Sequence, residues 1–194
     1  TPDPFHVYVC GVLDRVVSGE LKKVMIFAPP QHGKSMIVSE HFPAYWLGKY
    51  PDDPVLMTSY GARRARINSR KARDLVERNE YRRLFGDLGA HDMIPVATSD
   101  DSRAADEWAL AYPHRGGVIA AGVDGAITGF GAKLAIIDDP IKDWKEAQSA
   151  TIRESAWSWY ENTFLSRVWE GGAIVLIQTR WHEHDLAGKL IQKE

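Results

Sequence analysis

One cysteine in 194 residues, Cys10, excludes an internal disulfide and suits a reducing compartment. No apolar run approaches the roughly 20 residues needed to cross a bilayer. The opening Thr1-Pro2-Asp3-Pro4 has neither the basic start nor the apolar stretch of a signal peptide. It also lacks an initiator Met, which leads to the expectation of a piece cut from a longer protein. Net charge is only −2, so overall charge does not announce a nucleic-acid binder. Internal repeats, low-complexity segments and linkers are all missing, so a single domain over 1–194 is expected. The hydrophobic fraction of 44% and charged fraction of 26% exclude a disordered chain and support one sizeable core.

Short β-rich runs alternate with helical stretches, the pattern of an α/β fold with a mainly parallel sheet flanked by helices. Lys23 to Phe27, Val55 to Ser59, Leu134 to Ile137 and Ala173 to Ile177 read as strands. Trp108 to Tyr112 and Val118 to Ala121 read as a hairpin around His114-Arg115-Gly116-Gly117. Helices are expected from Lys34, over Ala62 to Glu77, and from Leu186 to Ile191, the chain stopping at Glu194 inside this last pattern. A long helical pattern runs from Glu146 to Val168, with Trp157, Tyr160, Phe164 and Val168 as its core-facing stripe. Basic residues crowd the stretch Arg63 to Arg83: Arg63, Arg64, Arg66, Arg70, Lys71, Arg73, Arg78, Arg82 and Arg83. Such a cluster fits a solvated helix face, and it also fits contacts to the phosphates of a nucleotide or of DNA.

Ala28-Pro29-Pro30-Gln31-His32-Gly33-Lys34-Ser35 is the central motif. It departs from the usual phosphate loop in having Ala28 where the first Gly stands. An apolar strand precedes it and a helix follows, as the chemistry requires. Gly33 allows close backbone approach, and successive N–H groups at the helix start wrap phosphates. Lys34 supplies a point charge for the β- and γ-phosphates, and Ser35 a hydroxyl for Mg²⁺.

Leu134-Ala135-Ile136-Ile137-Asp138-Asp139-Pro140 puts two carboxylates on the tip of an apolar strand. There Asp138 is expected to hold the metal and Asp139 to act on the attacking water. An Asp-Asp-Pro turn that merely ends a strand is the competing reading. Gln178-Thr179-Arg180 follows the last strand, and Thr179, with Gln178 second, is the candidate to sense the γ-phosphate and relay its loss. Ordinary capping chemistry is the alternative. His182-Glu183-His184-Asp185 has alternating spacing without a distant ligand set, so Asp185 is read as a helix cap rather than a metal ligand.

These motifs together resemble those of the large terminase subunits of tailed double-stranded DNA phages. The likeness rests on Pro29 to Ser35, on Thr58-Ser59-Tyr60, on Gly125-Ala126-Ile127-Thr128-Gly129-Phe130-Gly131, on Ile137 to Pro140, and on Thr179-Arg180-Trp181-His182 with Asp185-Leu186-Ala187-Gly188. The resemblance implies a P-loop NTPase of the RecA-like, additional-strand class that hydrolyses ATP with Mg²⁺. It implies a homo-oligomeric ring of five subunits on the portal of an empty procapsid, fed by a small terminase subunit and driving double-stranded DNA inward. It implies the host cytoplasm as the setting, with transient attachment to the portal vertex. The family's RNase H-like nuclease domain is not expected within these residues. On this likeness Pro30, Gln31, His32, Gly33, Lys34, Ser35 and Met36 form the nucleotide-binding loop, joined by His6. Phe5, His6 and Tyr8 lie in the segment ahead of the first strand, where such proteins contact the base. A core role for that segment remains open.

Two departures shift attention to other cations. Many relatives have Arg in place of Gln31, and many have Arg at Phe130. Arg70 and Arg66 are then candidates to reach the γ-phosphate of the same subunit, and Arg167 that of a neighbour, with Arg115 and Arg153 as further candidates. Lys34, Asp139, Arg70 and Arg167 are thus the expected catalytic group. A nucleotide-switched module that binds DNA or a partner, or another P-loop ATPase of helicase type, are the alternatives that the motifs also allow.

Overall fold

In the computed structural model, which describes residues 3–85 and 96–193, seven strands form one sheet in the order β1-β7-β6-β2-β5-β4-β3. The chain's opening Thr1-Pro2 and its last residue, Glu194, lie outside the described residues. The strands are β1 (Lys23–Phe27), β2 (Pro54–Ser59), β3 (Thr98–Arg103), β4 (Glu107–Leu110), β5 (Gly117–Gly122), β6 (Ala132–Asp138) and β7 (Val168–Gln178). Along that order every pairing from β1 to β5 is parallel, and at the edge β4 runs antiparallel to both β5 and β3. β7 stands between the phosphate-loop strand β1 and the acidic strand β6, the arrangement of the additional-strand class.

Burial on both faces explains why the central strands are continuously apolar. Along β6, Leu134 and Ile136 face one core, and Ala135 and Ile137 face the other, all at 0% exposure. The first core is covered by α1 (Pro4–Val17), by a π-helical turn (Met36–His41) running into α2 (Phe42–Lys49), and by α3 (Ala62–Val76). The second is closed by α6 (Ala150–Trp159), its π-helical extension (Tyr160–Phe164) and α7 (Leu186–Lys193). Two short helices, α4 (Asn79–Phe85) and α5 (Trp144–Ala147), are also present. No described helix is long and apolar enough to cross a membrane.

The expected strands are present, with β6 and β7 longer than their apolar cores suggest, and the expected hairpin joins Trp108 to Val118 across β4 and β5. The helical pattern from Glu146 to Val168 is corrected in two places. Ser149 caps α6 through the Ile152 amide, so the helix starts afresh there. At the other end helical backbone stops at Arg167, because Val168 pairs with Ala132 and opens β7. Tyr160 and Phe164 nevertheless fill the core as their spacing suggests.

Candidate phosphate and metal site

The parallel strands deliver their C-terminal tips to one edge of the sheet, where a cleft of about 430 Å³ opens between the phosphate loop and the start of α3. Pro30, Gln31, Gly33, Lys34, Ser35 and Met36 line one wall, with Glu40, Tyr60, Arg64 and Asp139 opposite and below. The loop is bent by left-handed backbone at Gln31 (φ 65°) and Gly33 (φ 76°). At Gly33 the space is also taken: a Cβ there would stand 2.9 Å from His6 Nε2. His6 donates from Nε2 to the His32 carbonyl at 3.1 Å, so α1 buttresses the loop from outside. His32 in turn donates from Nδ1 to the Pro30 carbonyl at 2.8 Å. Phe5 packs on the core beside His6, whereas Tyr8 is 73% exposed.

Lys34 is buried and points across the cleft. Its Nζ stands 3.0 Å from Asp139 Oδ2 and donates to Thr179 Oγ1 at 3.1 Å. The second oxygen of Asp139 accepts the Thr179 amide at 2.7 Å, and Thr179 Oγ1 donates to the Ala28 carbonyl at 3.4 Å. The tips of β1, β6 and β7 are thereby tied into one polar knot. Asp139 holds left-handed backbone (φ 46°), a conformation disfavoured for any residue with a Cβ. That turn is secured by the Asp139 amide donating to Ile177 and by its carbonyl accepting from Tyr60.

Asp138 is the other carboxylate. Ser35 Oγ donates to its Oδ1 at 3.0 Å, and Asn68 Nδ2 on α3 donates to its Oδ2 at 2.8 Å. Burial, with the Asp139 charge beside it, raises the Asp138 carboxyl above the usual range, while hydrogen bonds and Arg64 pull it back. A hydroxyl and a carboxylate already 3.0 Å apart at the foot of a phosphate loop suit a small hard cation that keeps several waters. The donor set therefore fits Mg²⁺, which Ser35 and Asp138 would hold.

Of the two coupling candidates, Thr179 stands in the site. Thr179 is bonded to Lys34 and Asp139, whereas Gln178 is buried between strand tips; both line a small cavity with Pro140, Ile141 and Trp181. The arginine candidates are redistributed. Arg64 lines the cleft; at 100° per residue Arg66 and Arg70 are turned about 200° and 240° around the helix from it. Arg66 approaches Asp106 at 3.9 Å, and Arg70 is exposed. Reach to the same chain's cleft thus passes from Arg70 and Arg66 to Arg64. Arg167 precedes Val168, whose partner Ala132 lies about 20 Å along β6 from Asp138, so Arg167 is at the far end of the sheet from the cleft. Arg115 is at that far end too, its amide bound to Asp52, and Arg153 donates to the Ala147 carbonyl. The loop carrying Phe130 runs back along the sheet toward the start of β6, anchored by fully buried Ile127. Asp185 caps α7 by accepting the Gly188 amide at 2.9 Å and holds Arg180 at 2.9 Å.

Asn68, bonded to Asp138, and Arg64, which lines the cleft, were not among the named site candidates, although Arg64 belongs to the basic cluster. Asn68 had a usable signal: it shares the buried face of α3 with Ala65 and Ala72, where an amide needs a partner.

The family described as terminase large subunit, T4-like-virus type, N-terminal, matches residues 25–193, from within β1 to the end of α7. No curated protein matches the chain.

Proposed function

The chain belongs to the T4-like-virus type of terminase large-subunit N-terminal family, and from that premise we propose that it is the ATP-hydrolysing motor of DNA packaging. The observation that carries the reading is the meeting of Lys34, Ser35, Asp138, Asp139 and Thr179 within hydrogen-bonding distance at one sheet edge. In this reading the loop amides and Lys34 bind the triphosphate. Ser35 and Asp138 would hold Mg²⁺, which when bound would supply positive charge to the phosphates.

Lys34 and Asp139 are paired here, so the phosphates must compete for the lysine. Their arrival releases Asp139 Oδ2, which then accepts a hydrogen bond from the attacking water. The water oxygen forms a new bond to the γ-phosphorus as the bond to the bridging oxygen breaks; the electron pair leaves with ADP, and the water's proton passes to Asp139 and from there to the released phosphate or solvent. Thr179 touches both Lys34 and Asp139, so loss of the γ-phosphate reaches the end of β7 through it. Double-stranded DNA is the cargo, and the portal, the small subunit and further copies of the chain in a ring are the partners. Arg167, at the far end of the sheet, is suited to a neighbour's nucleotide, where an arginine supplied in trans adds about 10³–10⁵ in rate. The isolated chain is accordingly a slow enzyme.

Phosphate release measured with Mg²⁺ and duplex DNA tests this reading. Lys34→Ala and Asp139→Asn should each abolish the release, and DNA stimulation should fall steeply with salt. Release that survives both substitutions, or strand separation of the duplex, would overturn it.

A further inference from the structure

We infer that Arg64 binds the terminal phosphate of the chain's own nucleotide and makes the cleft distinguish ATP from ADP; this rests on the ATPase reading above. The charges at the cleft are nearly all spoken for, with one exception. Glu40 is matched by Lys71 at 2.6 Å, and Asp139 by Lys34 at 3.0 Å. Asp138 is held by two neutral donors, Ser35 and Asn68. Among the described residues, no hydrogen bond or ion pair engages the Arg64 guanidinium, although it lines the cleft and its charge acts on Asp138.

Its place on the helix is unfavourable for a cation. Arg64 lies in the first turn of α3, where the positive end of the macrodipole repels it and no acidic residue offsets it. An incoming anion relieves that repulsion. One helical turn later Asn68 touches Asp138, so the same face of α3 presents an amide to the metal-binding carboxylate and a guanidinium to the space above it. The triphosphate brings more negative charge than Mg²⁺ and Lys34 neutralise, and a planar guanidinium meets two phosphate oxygens at once. ADP lacks the group that Arg64 would hold.

The test compares the affinity of the intact chain for a fluorescent, non-hydrolysable ATP analogue and for fluorescent ADP, both with Mg²⁺. Arg64→Ala should weaken the ATP analogue by at least about tenfold, the loss of a charge-assisted hydrogen bond, and change ADP by less than about twofold. Arg64→Lys should recover part of the difference. Arg66→Ala, on another face of the same helix, should behave as the unmodified chain. Equal weakening of both nucleotides in Arg64→Ala and Arg64→Lys, or no weakening of either, overturns the assignment while leaving the ATPase reading intact. An unmodified chain that binds neither nucleotide overturns both.

Discussion

The Lys34–Asp139 pair offers a quantitative test of how the knot at the strand tips is held. The two charges are 3.0 Å apart, with side-chain exposures of 8% and 24%. At an effective dielectric of about 20, that separation corresponds to about 5–6 kcal/mol of attraction. Desolvation of a lysine this buried takes back part of it, and truncating one partner of such a pair costs about 3–5 kcal/mol. A coupling of about 2–4 kcal/mol is therefore expected in a double-mutant cycle built from Lys34→Met, Asp139→Asn and the pair together. Urea unfolding of the four proteins without nucleotide measures it. The same cycle with Mg²⁺ and a non-hydrolysable ATP analogue should give a smaller coupling, because the phosphates then hold the lysine. A nucleotide-free coupling below about 0.5 kcal/mol, the level of an exposed ion pair, would refute the closed pair and the competition argument drawn from it.

Other substitutions probe different parts of the molecule. Asp138 is raised by burial, so the folded state keeps its proton at a pH where the unfolded chain has lost it; its stabilising contribution is full below the ordinary carboxylate range and is lost as pH rises through the raised value. Asp138→Asn should therefore abolish phosphate release yet raise Tm at neutral pH, by about 2–4 °C if about 1 kcal/mol is relieved, and flatten that pH dependence in thermal melts. Thr179→Val removes the hydroxyl between Lys34 and Ala28 and keeps the amide bound to Asp139; steady-state kinetics should show kcat reduced by about tenfold or more with KM for ATP little changed. Leu134→Ala, at a fully buried position of central β6, should cost about 2–5 kcal/mol in urea unfolding, whereas Tyr112→Ala at 94% exposure should stay within about 0.5 kcal/mol.

What the sequence revealed follows from how local each signal is. Apolar runs ending in polar tips located β1, β2, β6 and β7, because a strand buried on both faces tolerates little else. The same tips pointed to Lys34, Ser35, Asp138, Asp139 and Thr179, which the fold brings together, since each motif lies on consecutive residues. Arg64 and Asn68 depend on which side of α3 packs on the sheet, and a run of arginines hides that choice. β3 carries the polar segment Thr98–Arg103 at the sheet edge, where only one side needs covering, so no apolar signal marks it. α1 carries a helical-period stripe in Val9, Leu13 and Val16, all buried, beside the Phe5, His6 and Tyr8 that the resemblance links to the base. The end of the long helix was set by long-range pairing: Val168 fits the helical period, yet its place beside Ala132 decides its conformation.

A crystal structure with Mg²⁺ and a non-hydrolysable ATP analogue examines the central claim most directly. The metal is expected about 2.0–2.1 Å from Ser35 Oγ, with Asp138 coordinating it through water, and Lys34 should have left Asp139 for the β- and γ-phosphates. Nucleotide bound away from the phosphate loop, or a metal that ignores both Ser35 and Asp138, would contradict it.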